Sequence, residues 1–274
     1  MSEFNNYSVL LTVYHKEKGE YFRQALNSII AQTKPTNDFV IVCDGPLTPE
    51  LDNIINEYST KYSYINVIRL MENRGSGFAS QAGLKHIKNE ILAKMDSDDI
   101  SMPNRMEKEL DMINRGFDVV GGSIAEFEQD PSAITSIKTL PEKQKAIIAF
   151  SKKRNPVCNV TVMYKKSQIE AVGGYADLVI LEDYTLIVKL LQYGAKVINL
   201  PDILVKVRAN REQIIRRTNQ TLIRNLKQLR KYMLTTKYIN RFEYHLYNFQ
   251  SYLFLITPIF IKRFLYKNLL RKKA

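Results

Sequence analysis

The chain has 274 residues, 45% of them apolar, which suffices for one large α/β domain with a core and a further extension. Two cysteines, Cys43 and Cys158, lie far apart; they exclude a disulfide framework or a Cys/His zinc site and suit a reducing compartment. The net charge of +12 is uneven: residues 206–274 carry 17 Lys and Arg against two acids, while the first 205 residues stand at −3, so the basic character belongs to the tail and suggests anionic lipid or nucleic acid as a partner.

Residues 1–7 are polar and lack the basic start and apolar stretch of a signal peptide. The run SVLLTV at 8–13 predicts a buried parallel strand. Phe22, Ala25, Leu26, Ile29 and Ile30 then recur at helical spacing over 21–32. A second apolar strand, 39–43, ends at Asp44-Gly45-Pro46. A helix over 51–62 and a strand over 65–70 follow. A glycine-started helix spans 75–87, and a fourth strand, 91–95, runs straight into the acidic cluster Asp96-Ser97-Asp98-Asp99. Strands alternating with helices predict a mostly parallel sheet with right-handed crossovers. Such sheets bind ligands at the carboxyl ends of their strands, so Tyr14, Asp44, Asn73, Arg74 and Asp96 should line one rim.

The middle of the chain is less regular. Strands are expected at 119–127, 160–164 and 196–200, and a helix at 184–193. Over 212–233 a helix places Ile215, Leu222, Leu226, Leu229 and Met233 on one face. Residues 238–270 are rich in Tyr, Phe, Leu and Ile and are flanked by Lys and Arg, which suits a membrane interface or a packing element. No apolar stretch approaches the ~20 residues a membrane-spanning helix needs.

The sharpest chemical feature is the acidic cluster. Three carboxylates in four residues at a strand end repel one another, and a hard divalent cation relieves that repulsion. The alternative is a solvated acidic turn whose Asp99 caps the following helix. Glu182-Asp183 offers a candidate proton acceptor, or else simply acidic residues at the start of the helix over 184–193. Gly75-Ser76-Gly77 lacks a Walker continuation and reads as a helix start that allows close approach.

The run AKMDSDDISMPNRME at 93–107 resembles the signature of the inverting glycosyltransferases of family 2, in particular bacterial members that build capsule, exopolysaccharide and lipopolysaccharide chains. SVLLTVYHKE, VIVCDGP, NRGSGFASQAGLKH, NPVCNVTVMYKK, VGGY and LEDYTL match further blocks in the same order, from Ser8 to about Arg208. The resemblance implies an α/β fold of the GT-A kind, the Rossmann-like nucleotide-diphospho-sugar transferase fold, over 1–210, with a helical basic and apolar extension over 211–274. It implies that Thr12, Val13 and Tyr14 contact the nucleotide, Asp44 the base and Asp96 the ribose, with Arg74 supplied by the Asn-x-Gly block. Asp98 would hold Mn²⁺ or Mg²⁺. Asp183, paired with Glu182, would be the catalytic base.

The chain departs from the family pattern at Cys43, where an Asp is common, and at Asn159, where many relatives carry His; it has no Trp. Transfer of a single hexose from a nucleotide-diphospho-sugar, UDP-linked by family analogy, to a glycan or lipid-linked acceptor is therefore expected. So is a cytoplasmic enzyme that lies on the anionic inner face of the membrane through its tail, or forms a homodimer. A nucleotidyltransferase of similar fold is the rival enzyme. A nucleic-acid binder is the rival suggested by charge, and no nucleic-acid-binding motif supports it.

Overall fold

The computed structural model describes residues 3–178, 180–209 and 220–257. Its first half follows the expected alternation: β1 (Ser8–Val13), α1 (Gly19–Ile30), β2 (Asp38–Cys43), α2 (Pro49–Lys61), β3 (Ile65–Arg69), α3 (Ser76–Leu84) and β4 (Ile91–Asp96). β1 pairs in parallel with β2 on one side and β4 on the other, and β2 pairs with β3. The apolar runs are continuous because both faces of these strands are covered. Val9, Leu11 and Val13 pack with α1 and α2 on one face, while Leu10, Val40 and Val42 pack with α3 on the other.

The second half departs from a purely parallel sheet. After β5 (Ile100–Ser101) and α4 (Arg105–Asn114) come β6 (Val119–Phe127), β7 (Ile134–Lys138), α5 (Gln144–Ser151), β8 (Met163–Lys165), α6 (Lys166–Ala171), α7 (Glu182–Tyr193) and β9 (Val197–Arg208). The strand order is β3-β2-β1-β4-β8-β6-β9-β5, with β7 beside β6. β8 is antiparallel to both β4 and β6, whereas β6 and β9 are parallel. The strand expected at 196–200 continues to Arg208. Pro201 cannot donate to the ladder, and the register shifts around Gly122 and Ser123, opposite that point, so the strand absorbs the proline in an irregularity and resumes. The helices α5 and α6 and the strands β5 and β7 were not anticipated; α4, the helix that follows the acidic turn, is polar in composition and buries Met106, Leu110 and Ile113 along one stripe.

The C-terminal extension begins, within the described residues, as two helices, α8 (Gln220–Thr235) and α9 (Arg241–Ile256). Asn240 and Glu243 form a reciprocal capping box that starts α9. Leu229 and Met233, two of the five residues expected on one helical face, are buried with Ile239 and Tyr247 against Tyr184 and Val188 of α7. Side chains of this kind each stabilise by about 1.5–3 kcal/mol when fully buried, so the inner face of the hairpin is held on α7. Ile215 and the basic residues Lys262, Arg263, Lys267, Arg271, Lys272 and Lys273 lie outside the described residues.

Candidate active site

The order β3-β2-β1-β4 reverses direction at β1, whose neighbours β2 and β4 lead away on opposite sides. Ligands bind at such a switch point, outside the carboxyl ends of the strands. Thr12 and Asp96 face each other there as register partners. Val13 buries its side chain in the core and accepts the Asp44 backbone N–H at 2.8 Å, so its backbone is what it offers the rim. Tyr14 follows, its ring edge-on to exposed His15. Asp44 accepts backbone N–H groups from Arg74 and Gly75, each at 2.9 Å, and thereby ties the end of β2 to the start of α3. The Arg74 guanidinium lies 3.6 Å from the Phe78 ring centroid and pairs with Asp177. Tyr14 and Asp44 thus directly follow β1 and β2, Asp96 ends β4, and Arg74 precedes α3.

The acidic turn is built from long-range partners. Arg208, at the end of β9, is 2% exposed and lies 3.6 Å from the Tyr21 ring and 4.6 Å from that of Phe127. Its backbone N–H donates to the Asp99 carboxylate at 2.9 Å, its Nε–H to the Asp98 carbonyl at 3.3 Å, and Nη2 to Gln24 at 2.7 Å. Asp99 therefore faces inward and does not cap the following helix, which starts at Arg105. Asp99 is 2% exposed, whereas Asp96 and Asp98 are partly exposed. From the other face of the sheet, Arg105 bonds the Lys94 carbonyl at 2.8 Å and Glu109 at 3.0 Å, a fully buried pair that braces β4 just before the turn.

Electrostatics in this turn are crowded. The Ser97 hydroxyl donates to Glu17, which brings a fourth carboxylate to the cluster. Burial, then the charges of Glu17 and Asp96, push the Asp98 carboxyl up to about 7. Burial and the neighbouring Asp98 and Asp96 raise Asp99 well above the carboxylate range. Among the described residues no three His, Cys, Asp or Glu side chains converge as a complete metal cage. The donor set nevertheless fits a hard divalent cation that takes one protein carboxylate and completes its shell with diphosphate oxygens and water.

Glu182 and Asp183 open α7 after Leu181, whose φ of 73° and ψ of 16° place a branched residue in the left-handed region. Such strain costs of order 1–3 kcal/mol and gathers at functional sites. Glu182 is buried and accepts the Ser76 hydroxyl of α3; burial and then Asp183 push it up to about 7. Asp183 is half-buried, and the Asn155 amide donates to its carboxylate at 2.8 Å. Gly77 permits this approach: a Cβ there would lie 2.4 Å from the Ala176 carbonyl oxygen and 3.1 Å from the Glu182 Cβ. The helix start read from Gly75-Ser76-Gly77 is thus a contact surface for the acidic pair. Cys43 and Cys158 are buried, and burial pushes the Cys43 thiol up to about 11, so it stays protonated.

Glu17, Ser76, Lys94, Asn155 and Arg208 belong to this site although they were not singled out for it. All but Arg208, the end-point of the resemblance, lie inside the quoted sequence blocks, so their presence was visible and their partners were not.

A model of the family described as Glycosyl transferase family 2 matches residues 8–169. A protein of Haemophilus influenzae described as an uncharacterized glycosyltransferase is 38% identical over 213 residues, 77% of this chain and 79% of its own length. The amylovoran biosynthesis glycosyltransferase AmsE of Erwinia amylovora is 31% identical over 96% of this chain and 98% of its own. An Escherichia coli UDP-Gal:alpha-D-GlcNAc-diphosphoundecaprenol beta-1,3-galactosyltransferase is 31% identical over 97% of each chain. Among solved structures, S. aureus TarS 1–349 in complex with UDP-GlcNAc superposes with a TM-score of 0.66 at 18% identity, over 84% of this chain and 66% of that one. The mannosyltransferase PcManGT from Pyrobaculum calidifontis, in complex with GDP-Man and Mn²⁺, gives 0.64 at 16% identity, over 92% and 70%. This chain spans 40% of the longer TarS chain. The fold is of the GT-A kind, the matched residues run from β1 through the acidic turn into α6, and the chain belongs to glycosyl transferase family 2.

Proposed function

We propose that this glycosyltransferase moves one hexose from a UDP-sugar to a hydroxyl of a glycan or lipid-linked acceptor, with inversion, in bacterial surface polysaccharide synthesis. The reading is supported by two unlike carboxylate sites, one in the turn after β4 and one at the start of α7, from each of which a charge (Asp96 and Glu182) acts on the buried Lys94. Asp98 stands in a crowded acidic turn, and Asp183 is held by Asn155 at the start of a strained helix. The E. coli and Erwinia relatives, matched over nearly the whole chain, support the substrate class and the pathway type.

Thr12, Val13 and Tyr14 flank the nucleotide, Asp44 the base and Asp96 the ribose. Arg74 stands beside them at the α3 start. Asp98 would hold Mn²⁺ or Mg²⁺, which when bound offsets the charge growing on the leaving diphosphate. Asp183 takes the acceptor hydroxyl proton as that oxygen bonds to the anomeric carbon and the bond from this carbon to the diphosphate breaks on the opposite face. Glu182 is bonded to Ser76 and precedes Asp183 in the first turn of α7. A single displacement converts an α donor into a β-linked product.

We assign residues 1–210 to catalysis and 211–274 to membrane attachment. Among the described residues no helix is long and apolar enough to cross a membrane. The outer side of α9 exposes Phe242, Phe249, Tyr252, Leu253 and Ile256, and the sequence beyond it is basic. Apolar insertion with about 1 kcal/mol per basic residue near an anionic surface suits the inner leaflet. Flotation with phosphatidylglycerol vesicles tests this: Phe249→Ser with Leu253→Ser should release the protein. If vesicles never bind and sedimentation shows a dimer, that face is a subunit contact.

The central test is a thermal-shift and transfer panel of nucleotide sugars with and without Mn²⁺. Metal-dependent stabilisation by UDP-sugars and a product of inverted configuration are expected. Retained configuration, or full transfer in excess chelator, overturns the mechanism.

A further inference from the structure

Below the acidic turn, β4 carries one more charge. Lys94 lies two residues before Asp96, so the two side chains leave the same face of the strand. Leu92 shares that face and packs in the cluster formed with α3 and α7. Lys94 is 2% exposed, and its Nζ has no hydrogen-bond partner among the described residues. Asp96 of its own strand and Glu182 of α7 act on it through their charge, neither in direct hydrogen bond with it. Glu182 is in turn bonded by Ser76 of α3 and lies next to Asp183. Tyr175, on the loop before α7, and Tyr164 of β8 close the same region.

A buried ammonium persists where opposite charge compensates it, and a buried Glu182 together with a partly exposed Asp96 on another element both gain from a cation near them. We propose that Lys94 is a positioning residue whose ammonium is the common counter-charge of Asp96 and Glu182, locking the acidic first turn of α7 to the nucleotide end of β4. Its position is intermediate: burial pulls the ammonium below the usual lysine range while both carboxylates oppose that pull. Asp183, next along α7, then keeps its place over the acceptor. The inference rests on the assignment of Asp183 as the base.

The test compares Lys94→Met, near in volume and uncharged, and Lys94→Arg, which keeps the charge. Loss of the counter-charge should raise the Glu182 titration midpoint, followed by ¹³C-carboxyl resonance, by about one pH unit or more. Turnover should fall about 10–100-fold, with the acid limb of its pH profile moved the same way and the donor KM nearly unchanged. Lys94→Arg should restore part of the turnover. A folded Lys94→Met whose Glu182 midpoint stays at the wild-type value overturns the proposal. If Lys94→Met does not fold, Glu182→Gln in protein labelled at lysine Nζ serves instead: the Lys94 signal should titrate at lower pH than in wild type, and an unmoved signal overturns the proposal. These resonances are read without sugar transfer, so a shifted midpoint in a protein that transfers no sugar supports the counter-charge and removes the catalytic reading.

Discussion

Replacing Gly77 with Ala puts one methyl group between α3 and the loop that leads into α7. Its Cβ would stand 2.4 Å from the Ala176 carbonyl oxygen, 2.6 Å from that of Leu178 and 3.1 Å from the Glu182 Cβ, where ordinary contact begins at 3.4 Å. Two of these atoms are backbone, so the elements must separate by about 1 Å, the scale at which misplaced catalytic groups lose about 10²-fold in rate. Overpacking costs about 1–3 kcal/mol, while Ala in a helix returns up to about 1 kcal/mol relative to Gly. The net loss of stability is therefore modest, at about 0–3 kcal/mol by these figures, and each kcal/mol lowers Tm by about 2–4 °C for a chain of this size. The signature is a well-folded variant with a large kinetic defect. Chemical denaturation gives the first quantity, and single-turnover transfer with saturating donor gives the second. Turnover within threefold of wild type would show that the α3–α7 spacing does not set the position of Asp183.

Asp183→Asn should lower turnover by about 10²–10⁴-fold with UDP affinity kept, whereas Asn155→Ala, which removes one charge-assisted hydrogen bond, should lower it by only about tenfold; calorimetry showing lost donor binding in Asp183→Asn would reassign the residue. Because Asp98 titrates at about 7, Mn²⁺ affinity should fall about tenfold per pH unit below that value, and Asp98→Asn should abolish both affinity and its pH dependence. The sign for stability follows from the same shift. With the folded carboxyl above its ordinary value of 3.8, the metal-free protein retains protons that the unfolded chain has released, so it loses stability as pH rises from about 4 through 7; melting curves that rise over that interval would contradict it. Arg208→Lys removes the planar group held between Tyr21 and Phe127 and its bond to Gln24, so metal-dependent UDP binding should weaken about tenfold. Unchanged calorimetric affinity would separate the clamp from the site.

The first four strands were legible because each is a short apolar run covered on both faces, and burial of that kind leaves a local signature. The strand-end position of Asp44 and Asp96 followed from the alternation of elements, and the acidic turn and the Glu182-Asp183 pair were visible as charge where charge is costly. Tertiary structure decided which groups those carboxylates meet. Glu17 reaches Ser97 across 80 positions, Asn155 reaches Asp183 across 28, and Arg208 reaches Gln24 across 184. The antiparallel insertion of β8 and the run of β9 past Pro201 are likewise set by pairing with distant strands, where the local residues favour no particular neighbour. Periodicity records whether a side chain is buried and carries no information about its partner. Asp99 could therefore pass for a helix cap in the sequence, while in the fold it is the acceptor that anchors the end of β9.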